Sequence, residues 1–125
     1  MPKTGTLINT TQNQTLLSDV RWCTGFGCKF MGLMFRRKLG SGEGLVMVEN
    51  KPSRTSTAIH MLFMFIPISV IWLDEQLTVV DKRVARPWRL AYVPAKPAQY
   101  TLEAHPDLLE NVNVGDVFAF EPHEA

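Results

Sequence analysis

The stretch TAIHMLFMFIPISVIWLDE, residues 57–75, is the most apolar in the chain, and the fold turns on whether it crosses a membrane or fills a core. A spanning helix needs about 20 apolar residues to cross a hydrocarbon layer about 30 Å thick. The run from Ile59 to Leu73 is shorter than that and contains His60, Pro67 and Ser69. Pro67 lacks a backbone N–H, and its ring would clash with a preceding helical turn. The expectation is two core strands broken near Pro67. The second, Ile68 to Leu73, is rich in β-branched and aromatic residues on both alternating sides, as suits a strand buried on both faces.

The rest of the composition agrees. A chain of 125 residues is long enough for one core, so residues 1–125 are read as a single domain. Hydrophobic residues at 46% against 20% charged exclude a disordered chain, and a net charge of +1 provides no overall field for nucleic acid or a membrane surface, so neither partner is expected. The first twenty residues lack the apolar run of a secretory signal, which predicts a cytoplasmic protein. Cys23 and Cys28 fall short of a zinc ligand set, because His60, His105 and His123 stand at no finger-like spacing. They are read as structural or incidental thiols. A disulfide would be unusual in a reducing cytosol, and Arg21 and Lys29 are the only hint of a reactive thiol.

Residues 6–23 read as a hairpin turning through Asn9 to Gln14. Phe26, Phe30, Leu33 and Met34 recur at helical spacing, with Arg36, Arg37 and Lys38 at the C-terminal end and Gly40 as the stop. GLVMVEN resumes a strand, LDEQLTVVDKRV turns a hairpin around Asp74 to Gln76, and Pro87, Pro94 and Pro97 punctuate a loop. YTLEAH is a strand, Pro106 opens a helical turn, and VGDVFAF is the last strand. The expected class is mainly β (α+β): a compact β-barrel-like domain of about seven strands with one short helix.

The segments GLMFRRKLGSGEGLVMV, IHMLFMFIPISVIWLD, RPWR, TLE and VGD occur in this order, and from about Thr6 to Glu121 the chain resembles the small prokaryotic proteins grouped as domain of unknown function 192. Gly32 to Arg37 followed by Gly44 is the most specific part. The resemblance implies a compact β-barrel-like fold with one helix and no established activity. It also marks departures. Phe65 stands where that branch of the family usually has arginine, Ser69 where it usually has aspartate, and AHPDLL follows Glu103 where Leu-Pro-Ala-Gly is usual.

The residues left for chemistry are Arg36, Arg37, His60, Arg86, Trp88, Arg89, Glu103 and Asp116. His60 within an apolar run reads first as a core histidine and second as a base. Arg36 and Arg37 read as a solvated helix end or as an anion clamp. Glu103 alternates with Leu102 and Ala104 and so points away from whatever they bury. An ion pair with Arg86 or Arg89 is the favoured role for it. Trp88 between two arginines has the composition of a recognition surface, or it closes one end of the barrel. GSGEG lacks the ending of a phosphate loop and is no nucleophile elbow. With no metal or cofactor expected, the favoured reading is a non-enzymatic binding module. Its barrel mouth, lined by Arg36, His60, Trp88 and Arg89, would hold a small anionic ligand, a peptide or a protein partner. The alternative is an enzyme using His60 or Glu103 as a base beside an arginine clamp.

Overall fold

The computed structural model describes residues 3–123 and, within them, all side chains except those of Phe26, Phe30 and Met31. The helical spacing read from Phe26 and Phe30 therefore lies, for those side chains, outside the described residues.

Seven strands form one sheet: β1 (Lys3–Asn9), β2 (Gln14–Cys23), β3 (Glu43–Ser53), β4 (Ile68–Leu73), β5 (Val79–Ala85), β6 (Ala98–Ala104) and β7 (Phe118–Pro122). Their order is β5-β4-β6-β3-β2-β1-β7. Every pairing is antiparallel except β2 with β3. Parallel neighbours need a long crossover, and residues 24–42, which carry the helix α1 (Phe26–Met31), provide it. The edges β5 and β7 approach each other at one end, where Thr78 bridges Val117 and the Val79 N–H donates to the Asp116 carbonyl at 2.8 Å. No continuous ladder joins them among the described residues, so the sheet is barrel-like without closing.

The sheet is apolar on both faces. On one face Leu17, Val20, Val46, Ile71 and Leu102 pack with Leu108 and Val112, which a 3₁₀ turn (Pro106–Asn111) brings over them. On the other, Leu45, Met47, Val70 and Trp72 pack beneath Leu33, Ile59, Met61 and Met64, which come from the crossover and from the connection between β3 and β4. β4 lies between β5 and β6 with both faces covered, and every one of its residues is buried, as the sequence predicts. Trp72 is fully buried, and its indole N–H donates to the Thr57 carbonyl at 2.7 Å. No helix among the described residues is long and apolar enough to cross a membrane.

Three expectations are corrected. Residues 59–67 do not form a strand. They are an irregular cover joined to the Pro-rich loop by the single bridge Ile59 to Tyr92, because Trp88 N–H and Met61 N–H bond across to Met61 and Arg89 carbonyls rather than to a neighbouring strand. The helix ends at Gly32 rather than Gly40: Gly32 takes φ +48 and its N–H caps the Cys28 carbonyl at 2.9 Å, a conformation glycine adopts at little cost. The cysteines form a disulfide. Cys23 ends β2 and Cys28 lies within α1, and the reversal between them leaves the Cα atoms 5.9 Å apart, within bridging range.

Candidate functional site

Along β6, Leu102 and Ala104 enter the first core, so Glu103 and Thr101 point to the second face. Strand alternation does turn Glu103 away from Leu102 and Ala104, as expected, but the face it meets is itself covered. Glu103 is only 5% exposed, and neither Arg86 nor Arg89 pairs with it among the described residues. It lies at a cleft of about 110 Å³ between sheet and cover, lined among others by Lys29, Met34, Met47, His60, Met64 and Thr101. Burial without a compensating charge pushes the Glu103 carboxyl up to about 7. Gly32 lies directly above: a Cβ there would come within 3.2 Å of Glu103 Oε1. Lys29 is engaged by Glu49 at 3.1 Å and by the Val48 carbonyl at 3.1 Å. His60 Nδ1 accepts from the Leu62 N–H at 3.3 Å.

The arginines go elsewhere. Arg36 Nη2 donates to both carboxylate oxygens of Glu43 at 3.1 Å, in a second, smaller cleft with Asp19 and Arg21. The Gly40 N–H and then the Arg36 guanidinium hold Glu43 below the usual carboxylate range. Arg37 lies over the Phe65 ring, 5.0 Å from its centroid. Arg86 and Arg89 are exposed, and their contacts are made by backbone: the Arg86 N–H donates to the Tyr92 hydroxyl and the Arg89 carbonyl accepts from the Met61 N–H. Asp116 is remote. Burial works to raise its pKa, but the Asn113 N–H and the Asn9 and Gln12 amides bond Oδ2 at 2.8–2.9 Å and hold it below the ordinary value. Its role is to tie the β1 turn to the start of β7. The structure thus gathers His60 and Glu103 at one cleft and puts Arg36, Trp88 and Arg89 outside it.

Trp88 belongs to a feature that the sequence reading missed. Its ring meets Phe63 at 5.2 Å and Phe65 at 6.1 Å, and Phe63 meets Phe35 at 5.5 Å. All four are exposed, between 42% and 52%. Phe35, Phe63 and Trp88 each hold positive φ, at 67, 60 and 69, where a bulky side chain is disfavoured. The strain is borne by the cross-links between their loops: the Phe35 N–H donates to the Phe63 carbonyl at 2.9 Å and the Trp88 N–H to Met61 at 2.7 Å. The three contributing stretches, residues 32–42, 54–73 and 82–102, contain arginines and lysines and no acidic residue at all, although the whole chain is nearly neutral. That local asymmetry was the available signal. Contact between the three loops was not legible from it.

The family model for domain of unknown function 192, described as Uncharacterized ACR, matches residues 7–120. A UPF0127 protein of Thermococcus kodakarensis is 37% identical over 120 residues, covering 94% of this chain and 74% of its own length. One from Pyrococcus furiosus is 37% identical over 112 residues, 88% and 93% of the two chains. Among solved structures, a Sinorhizobium meliloti protein provisionally described as a transcription regulator superposes with TM-score 0.82 at 18% identity, over 96% of this chain and 94% of that one. A Novosphingobium aromaticivorans protein of unknown function gives 0.80 at 22%, over 93% and 83%. At these identities the two structures speak for the fold alone.

Proposed function

Starting from the membership of this chain in the domain of unknown function 192 family, we propose that it is a non-enzymatic binding module whose recognition surface is the cluster Phe35, Phe63, Phe65 and Trp88. The partner is an acidic peptide segment of another protein that also carries apolar side chains. The observation behind this reading is the exposure of four aromatic rings packed one on the next, three of them at backbone positions that cost energy to hold. Such strain persists where the surroundings over-determine it, and it clusters at functional surfaces. Large exposed aromatic patches mark interaction sites, with aromatics and arginine as the usual anchors. Charge chooses the partner: Arg37, Arg86 and Arg89 are exposed on acid-free loops, so acidic residues flanking an apolar anchor are attracted and basic ones repelled.

A single-stranded nucleic acid would also meet aromatics and cations. Against it, Trp88 packs edge to face with Phe63 and Phe65 at 62° and 72°, Phe35 is tilted against Phe63 at 32° and Arg37 covers Phe65, so the rings are not set as parallel platforms for stacked bases. The enzymatic alternative keeps His60 and Glu103 on one cleft, but no arginine lines it among the described residues.

The test is fluorescence anisotropy with a labelled peptide alternating Asp or Glu with Leu and Phe, its lysine-substituted twin, and labelled oligothymidine. The acidic peptide binds, more weakly as salt rises, and Trp88→Ala and Phe63→Ala each weaken it tenfold or more. Binding unchanged in both variants, or no binding, overturns the proposal. Tighter binding of oligothymidine replaces it with a nucleic-acid surface.

A further inference from the structure

The cleft over Glu103 is separate from the aromatic surface and has a chemistry of its own. Glu103 is 5% exposed and lines the cleft, and among the described residues no hydrogen bond or ion pair reaches its carboxyl; since no fully buried side-chain oxygen lacks a partner, its oxygens keep their access to that space. The other charged or titratable side chains lining that space are Lys29 from α1, Glu49 from β3 and His60 from the cover. Lys29 and Glu49 neutralise each other at 3.1 Å. Glu103 is therefore the carboxyl in that space with no protein cation beside it among the described residues. The glycine at position 32 leaves it uncovered, since a side chain there would begin 3.2 Å from Oε1. Around it Met34, Met47, Met64 and Ile59 form an apolar lining. Unbranched thioether side chains adapt to guests of varied shape. A carboxyl at the floor disfavours anions, and no group of three or more metal-ligating His, Cys, Asp or Glu side chains occurs among the described residues.

We propose that this cleft binds a small primary ammonium ion with a short apolar tail, its nitrogen on the Glu103 carboxylate and its carbons among the methionines. An apolar cavity of about 150 Å³ takes a benzene ring, so about 110 Å³ suits a ligand of about five heavy atoms. A cation that pairs with a buried carboxylate favours its ionised form. The burial-raised carboxyl of Glu103 then titrates lower in the complex, and binding strengthens as pH rises through neutrality. His60 lines the same space, so the pH dependence is assigned to Glu103 only if it disappears in Glu103→Gln.

The probes are n-butylammonium, with 1-butanol and butyrate as neutral and anionic counterparts, titrated calorimetrically at millimolar concentration at pH 6 and pH 8. The expected result is that n-butylammonium binds the wild type, tighter at pH 8 by about tenfold, and that Glu103→Gln loses at least tenfold and no longer distinguishes the two pH values. The two counterparts bind more weakly. A second readout uses the wild type alone: the titration midpoint of the Glu103 carboxyl carbon, followed by NMR, falls by about one pH unit with n-butylammonium present, as a favourable ion pair requires. No binding by the amine, equal binding of 1-butanol, full affinity in Glu103→Gln, or an unmoved midpoint overturns the proposal.

Discussion

Replacing Glu103 with glutamine is expected to stabilise the protein above neutral pH and to leave it almost unchanged in acid. In the folded protein the carboxyl is raised from an ordinary 4.5 to about 7 by burial. Between those values the native state still holds a proton that the unfolded chain has released. Stability therefore falls as pH rises through that window and stays low above it. At about 1.4 kcal/mol per pH unit of difference, the full penalty is on the order of 3 kcal/mol. Glutamine has the same shape and cannot ionise, so Glu103→Gln escapes the penalty and gains up to about that amount at pH 8. The assay is urea denaturation of both proteins at half-unit steps from pH 4.5 to pH 8. Subtracting the curves cancels the histidines and every other group the two share. Glu43 and Asp116, held below the ordinary carboxylate range, act in the opposite sense: their contributions are present above the unfolded value and are lost as pH falls through the folded one. A difference that stays flat across the range, or a variant less stable than wild type at pH 8, would refute the placement of an unpaired carboxyl in that cleft.

Trp72→Ala should cost about 3–5 kcal/mol in denaturant unfolding, because it empties a site at the centre of the second core and removes the bond to Thr57; a loss under about 1 kcal/mol would mean β4 is not central. Asp116→Ala should cost about 2–3 kcal/mol, since it strands donors from Asn9, Gln12 and Asn113 at once, and faster amide exchange where β1 meets β7 would localise the damage. Reducing the Cys23–Cys28 bridge should lower stability by only about 2 kcal/mol, because so short a loop removes little chain entropy. Thiol labelling of the native protein before and after reductant checks the pairing itself.

The sequence by itself determined the membership in an uncharacterised family, the mainly β class and most strand positions. These rest on local quantities: the length and proline of residues 57–75, the β-branched run of β4, and turn residues such as Asp74, whose carboxylate takes the Gln76 and Thr78 N–H groups. It also supplied the direction of Glu103, because strand alternation is a property of the backbone alone. What covers a strand is decided elsewhere in the chain. Glu103 changed from a surface ion-pair partner to a buried acid because residues 24–34 and 56–64 fold over its face. Trp88 between its arginines already had the composition of a recognition surface, but its grouping with Phe35, Phe63 and Phe65 arose only when three loops, distant in sequence, were tied together by backbone bonds. The arginines parted for the same reason: Glu43 lay within reach of Arg36 and Phe65 beneath Arg37, and each side chain took the partner that the tertiary fold put nearest.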